Sequence, residues 1–203
     1  MKNDFSYDLL VIGGGISACV FASKYLQNNV KKIALIEAGR GLGGRSSTRI
    51  SKRFKGWKLN HGAPNFNIGN IKKNLLLKNY ISELLENKFI KIDDSELISL
   101  GNESKLENFK KSKFYCGDSF LSSFSMGELS QKIIEFNNLG DKIDLFFRTL
   151  IIDLKCSNDG WILTSRNGET FRSKYLICSS NLLLHKRSLK HLKINQIPIR
   201  KAI

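Results

Sequence analysis

The sequence predicts an α/β fold built on a mostly parallel sheet, and three observations predict it. A short uninterrupted apolar run at residues 7–12 (YDLLVI) leads directly into Gly13-Gly14-Gly15. A helix-forming segment and a second apolar run, residues 32–37 (KIALIE), follow it. Farther along, Asn158-Asp159-Gly160 and Asn167-Gly168 separate three strand-like runs. Continuous apolar runs mark strands buried on both faces, as in parallel sheets flanked by helices. Asn-Gly and Asp-Gly pairs supply the positive φ that tight antiparallel turns need.

Residues 7–12 therefore read as the central strand. Residues 16–28 read as a helix that buries Ala18, Val20, Phe21, Ala22, Tyr25 and Leu26, and Asn28-Asn29 ends it. With the strand at 32–37 this makes a βαβ unit of about thirty residues, the size of a right-handed crossover. Residues 38–58 form a loop rich in glycine (Gly39, Gly41, Gly43, Gly44) and arginine (Arg40, Arg45, Arg49). Residues 58–68 are irregular or short strand. Residues 75–87 suit a helix, with Leu76, Tyr80 and Leu84 at helical spacing, and residues 88–115 suit a β-rich excursion. Ser125 and Glu128 form a capping box for a helix that runs to about residue 136 and buries Leu129, Ile133 and Phe136. Residues 137–140 (NNLG) stop it. A third buried strand is expected at 143–147, a three-stranded meander at 149–156, 161–166 and 169–172, and a further core strand at 174–179 (KYLICS). No internal repeat or low-complexity linker interrupts this order.

The bulk numbers narrow the class. A length of 203 residues suffices for one good core or a domain and a half. No apolar run approaches the roughly 18–20 residues of a membrane span, and the N-terminus lacks the apolar segment of a signal peptide. The cysteines (Cys19, Cys116, Cys156, Cys178) show no CxxC spacing, so they read as small core residues in a reducing, cytoplasmic setting, with no metal site. The net charge is +15, and residues 171–203 carry eight Lys or Arg and no acid. Such a stretch can bind nucleic acid or an anionic membrane. The whole chain is rich in Lys, Asn and Ile, and that compositional bias argues against nucleic acid as the partner.

The chemistry lies in the glycine turn. Gly13-Gly14-Gly15-Ile16-Ser17-Ala18 fits G-x-G-x-x-A between a buried strand and a helix. Gly13 permits the tight turn, Gly15 lets a pyrophosphate approach the backbone, and Ala18 keeps the helix close to the sheet. The helix start offers free N–H groups and partial positive charge to phosphate. Glu37 ends the second strand, where an acid accepts hydrogen bonds from ribose hydroxyls and repels the 2′-phosphate of NADP. Gly43-Gly44 and Arg45 leave the same carboxyl edge, with Arg45 within reach of the pyrophosphate.

At these residues the chain resembles the FAD-dependent amine oxidases, whose GG-R motif follows the ribose acid as in IEAGRGLGGR. GGRSSTR followed by NHGAPNF is similar to the renalase-like branch: His61, Gly62, Ala63 and Phe66 match, while Asn60 replaces a usual Asp and Asn65 a usual Gln. The segments SFSMGELSQKIIEF and KYLICSS resemble later parts of the same family. The resemblance implies a Rossmann-like FAD-binding domain with a three-stranded β-meander over residues 1–58 and 113–180. It implies part of an α+β substrate domain over residues 59–112 and 181–203. It implies FAD as the dinucleotide, with Ser17 and Arg45 at the pyrophosphate, Glu37 at the adenosine ribose, Gly62 and Ala63 near the flavin, and the backbone of Ile151 at the adenine. The full cofactor-binding set is Gly13, Gly14, Gly15, Ile16, Ser17, Ala18, Glu37, Ala38, Gly43, Gly44, Arg45, Gly62, Ala63 and Ile151. The implied reaction is hydride transfer from a small amine or dihydronicotinamide-like substrate to flavin. No residue is assigned a catalytic role; His61 reads as a loop residue packed under the GGR segment.

In this family a C-terminal segment returns to the first domain with glycine-rich contacts to the flavin, and nothing after Ser180 resembles it. The sequence therefore also reads as a shortened, non-catalytic remnant, or as one half of a split flavoprotein with a complementing chain. A basic module for nucleic acid or an anionic surface is the third reading.

Overall fold

The structure is a computed structural model that describes residues 4–28, 31–69, 74–95, 97–100, 106–109, 117–136 and 140–180. In chain order the elements are β1 (Asp4–Ile12), α1 (Ile16–Gln27), β2 (Ile33–Ile36), β3 (Thr48–Ile50), β4 (Lys58–Asn60), β5 (Phe66–Ile68), α2 (Leu75–Glu86), β6 (Ile90–Ile92), β7 (Leu97–Leu100), β8 (Leu106–Phe109), β9 (Asp118–Ser122), α3 (Met126–Glu135), β10 (Ile143–Phe146), β11 (Ile151–Ser157), β12 (Gly160–Ser165) and β13 (Thr170–Cys178). They fall into two compact units, one made by the chain up to Gly44 and from Ser130 onward, the other by Arg45–Leu129.

The first unit is Rossmann-like. Its six-stranded sheet runs β10-β2-β1-β13-β12-β11. β10, β2, β1 and β13 are parallel, while β13, β12 and β11 form an antiparallel meander. The register sets Phe146 beside Ile36, Ile36 beside Ile12, and Ile12 beside Cys178, so four strands end level. Alternation in β1 and β2 places Leu10, Ile12, Ala34 and Ile36 in a core with Leu163 and the fully buried Phe171. Leu9, Val11, Ile33 and Leu35 are equally buried, which explains why both strands read as unbroken apolar runs. α1 packs on β1 through Ala18, Cys19, Ala22 and Leu26. Val20, Phe21 and Tyr25, expected in that buried stripe, are only partly covered, and Phe21 stacks on Tyr25 at 5.7 Å.

One strand replaces the two expected near the end of the sheet. β13 runs unbroken through residues 170–178, pairing along its length with β1 and through Trp161↔Ser173 to Thr164↔Thr170 with β12. The polar interruption at Arg172 and Lys174 is simply the outward face: both are exposed, while Phe171 and Ser173 are buried.

The second unit holds the hairpin β3–β4, the three-stranded sheet β5-β9-β6, the hairpin β7–β8, and α2. α2 begins at an Asn74 cap, whose side chain accepts from Leu77 N at 3.0 Å. Its buried residues are Ile81 and Leu84; Leu76, expected on that stripe, is 83% exposed. Cys116, the helix stop at 137–139, and the basic residues beyond 180, including His185 and His191, lie outside the described residues. Among the described residues, no helix is long and apolar enough to cross a membrane, no acid, His or Cys cluster suits a metal, and Cys19, Cys156 and Cys178 are free.

Candidate dinucleotide site

The first unit gathers the glycine turn, Glu37 and Gly43-Gly44 at the level strand ends. Gly13 leaves β1 with φ +105°, its N–H bonded to Ile36 O at 2.8 Å. A Cβ there would meet Ser180 at 3.0 Å, so both backbone angle and space demand glycine. Gly14 is tight as well: a Cβ would touch Leu42 Cδ2 at 3.0 Å and Glu37 Oε2 at 3.1 Å. Gly15 is different. Its φ is −75°, open to any residue, and a Cβ would meet nothing within 4 Å. Glycine at this position leaves open space beside the backbone.

The start of α1 is uncapped. Among the described residues no side chain bonds its first amides, and no acid stands in its first turn. The N–H groups of Ile16, Ser17 and Ala18 are thus available to a ligand or solvent, with Ser17 exposed. α3 shows what a closed helix start looks like. Asn60 Oδ1 accepts from Met126 N at 3.1 Å, Thr48 Oγ1 from Gly127 N at 2.9 Å, and Ser125 Oγ from Glu128 N at 3.4 Å. Glu128 completes the capping box, accepting from Ser125 N at 3.0 Å. Among the described α-helices, α2 and α3 are capped by side chains and α1 is not.

Glu37 closes the turn from the other side. Oε2 accepts from Gly14 N at 2.6 Å and Oε1 from Gly39 N at 2.5 Å. A carboxylate has about four acceptor positions, so two remain. The carboxylate is thereby fixed by the backbone it must work beside. Ala38, exposed, bridges Glu37 to Gly39. Arg148 N donates to Gly39 O at 2.7 Å and Thr149 N to Glu37 O at 3.1 Å, so the chain enters β11 directly past the acid. Ile151 begins that strand opposite Ser165, with an irregularity before Asp153, and its side chain lies in the core. Gly43 bridges to Gly15 and donates to Gly14 O at 2.8 Å; a Cβ on Gly44 would lie 3.1 Å from Gly15 Cα. Beneath the turn, burial pushes the Cys19 thiol up to about 12, the charge of Glu37 adding to the effect, so it stays a neutral core group.

In the second unit Arg45 is exposed, and its carbonyl accepts from Ala63 N at 2.9 Å. A Cβ on Gly62 would stand 1.9 Å from that oxygen, so Gly62 lets the 61–63 loop lie flat on Arg45. His61 is exposed and reaches Ser47 Oγ at 3.4 Å. The sequence did not single out Gly39, Leu42, Arg148 or Thr149 for this site. The Glu-Ala-Gly spacing was the available signal for Gly39; the others enter through tertiary contacts.

A level parallel edge, an open glycine, a free helix start and a fixed acid define a Rossmann-like domain whose residues fit a dinucleotide. Residues 11–84 match the family described as an NAD(P)-binding Rossmann-like domain. Over 56 residues, 28% of this chain and 13% of the relative, the sequence is 41% identical to (S)-6-hydroxynicotine oxidase of Paenarthrobacter nicotinovorans. The fold matches putrescine oxidase bound to putrescine, with a TM-score of 0.62 at 12% identity over 91% of this chain and 60% of that one. A double mutant of putrescine oxidase matches with a TM-score of 0.60 at 12% identity, over 92% of this chain and 63% of that one. The chain thus spans about three fifths of the length of the solved oxidases it resembles.

Proposed function

We propose that this chain binds FAD at the glycine turn and belongs to an amine-oxidase-type flavin oxidoreductase of the renalase-like branch. Its substrate class is a small amine or a dihydronicotinamide-like molecule. One observation carries the reading: an uncapped helix start and an open Gly15 stand beside a carboxylate already held by Gly14 and Gly39. That the named relatives oxidise hydroxynicotine and putrescine, both amines, supports the substrate class.

In this reading the amides of Ile16, Ser17 and Ala18 hold the pyrophosphate, with Arg45 adding charge. Glu37 uses its remaining acceptor positions for the adenosine ribose. The backbone at Ile151 meets the adenine, and the family likeness assigns Gly62 and Ala63 to the flavin. FAD, when bound, supplies the hydride acceptor. The protein's own part is to bind and orient the cofactor, and no proton transfer is assigned to a side chain. The deciding experiment is the visible spectrum of the purified chain after incubation with FAD and gel filtration. A retained flavin band is expected. Retention of NAD with no retention of FAD would overturn the flavin assignment.

A further inference from the structure

The hairpin β3–β4 presents a surface that dinucleotide binding does not use. Every residue from Lys52 to Leu59 is exposed. The apolar ones are large: Phe54, Trp57 and Leu59 are 50%, 70% and 65% accessible, and Ile50 beside them 66%. Exposed apolar groups of this size, clustered on one short element, mark an interaction site. Among them stand Arg49, Lys52, Arg53, Lys55 and Lys58, and no acid occurs between Glu37 and Glu83. Lys58 is held by Glu128 at 2.6 Å, and Arg53 lies 5.3 Å over the Phe54 ring. Arg49, Lys52 and Lys55 form no ion pair among the described residues.

The surface is built, not loose. Thr48 and Asn60 bond to each other at 2.7 Å at the hairpin root and cap the start of α3. Ser51 N donates to Trp57 O at 2.9 Å, Phe54 N to Ser51 Oγ at 2.9 Å, and Gly56 turns the tip with φ +85°. The hairpin holds the Phe54 and Trp57 rings 5.4 Å apart.

We propose that this hairpin docks on the anionic phospholipid surface of a bilayer. Phe54 and Trp57 enter the interfacial region, and Lys52, Arg53 and Lys55 meet the headgroup phosphates; Ile50, paired with Lys58, and Leu59, paired with Arg49, leave one exposed aliphatic side chain on each face of the hairpin. Charge complementarity fixes the sign of the partner, and the aliphatic residues fix its kind. A nucleic-acid strand would need rings free to stack on bases, whereas Phe54 and Trp57 pack on each other, and Ile50 and Leu59 have no use there. The inference is independent of the flavin reading.

The test uses the full chain carrying Trp161→Phe, which leaves Trp57 as its one tryptophan. It is titrated with phosphatidylcholine vesicles, with equimolar phosphatidylcholine–phosphatidylserine vesicles, and with a thymidine oligonucleotide. Expected are a blue shift of Trp57 emission and co-sedimentation with the anionic vesicles alone, both reversed by salt. Lys52→Gln, Arg53→Gln and Lys55→Gln together should weaken that partition by about a hundredfold, from about fivefold per cation. Circular dichroism checks that the triple variant is folded, and the comparison of the two vesicle types needs no charge variant at all. The proposal is overturned by absence of vesicle binding, by equal binding to neutral vesicles, by tighter binding of the oligonucleotide, or by a blue shift that follows self-association without lipid.

Discussion

Two glycines that look alike in the sequence do opposite things. Gly15 has ordinary backbone angles and empty space where a side chain would sit. Gly62 has no such space, its would-be Cβ standing 1.9 Å from the Arg45 carbonyl. Gly15→Val should therefore cost no more than about 1 kcal/mol, mainly the advantage of glycine over valine as a helix N-cap, because its Cβ enters open space. The same change should weaken FAD binding by about a hundredfold or more, because the new methyls fill the place of the pyrophosphate. Gly62→Ala should do the reverse: about 2–3 kcal/mol of stability lost through overpacking. Thermal denaturation and flavin titration of both variants separate the two roles. The G-x-G-x-x-A spacing made Gly15 legible, since its job is local. Gly62 was found only through a family likeness, because the oxygen that crowds it belongs to Arg45.

The hairpin β3–β4 and the first turn of α3 stabilise one another. Thr48→Val removes the acceptor of Gly127 N and the donor to Asn60 Oδ1, and should cost about 1–2 kcal/mol. Hydrogen exchange should show the loss first at the amides of Met126 and Gly127. Acid acts on the same joint. Glu128 is held down to about 2, chiefly by its bond to Lys58 and then by the amide and hydroxyl of Ser125. Its unfolded value is about 4.3, so the folded state favours the charged form. That stability is fully present above about pH 4.3 and drains as pH falls toward 2. Because Glu128 is 40% exposed, screening limits it to about 1 kcal/mol. Lys58→Met should raise the Glu128 midpoint, read by NMR titration, and flatten the acid limb of the stability curve. Ser125 and Glu128 were legible as a capping box because they are three residues apart. Thr48 and Asn60 were not, since they reach α3 from far up the chain. β13 was misread as two strands for a related reason: its continuity comes from partners on both sides, not from its own pattern.

At the scale of the whole molecule, ligand binding and stability are coupled. A ligand that binds only the folded chain at 100 times its dissociation constant adds about 2.7 kcal/mol. For a chain of this size that is a rise in melting temperature of about 5–10 °C. If the site binds as proposed, FAD should give that rise and NADP none, because a 2′-phosphate beside Glu37 would meet like charge. A thermal scan with each ligand checks it. The alternation of strand, glycine turn, helix and strand was legible throughout because each signal there is local and periodic.

β13 has a further consequence, and it concerns time. β1 is synthesised long before β13, yet its partner on one side is that strand, which ends at Cys178, with Asp4 set against Thr170. β2 supplies the other side early, through Leu9↔Ile33 to Ile12↔Ile36. Until β13 emerges, a growing chain carries β1, with its buried apolar run Leu9–Ile12, with one open edge. Long-range pairing of this kind folds slowly and invites pairing between chains. The same strand that finishes the sheet decides how long each nascent molecule stays vulnerable to its neighbours.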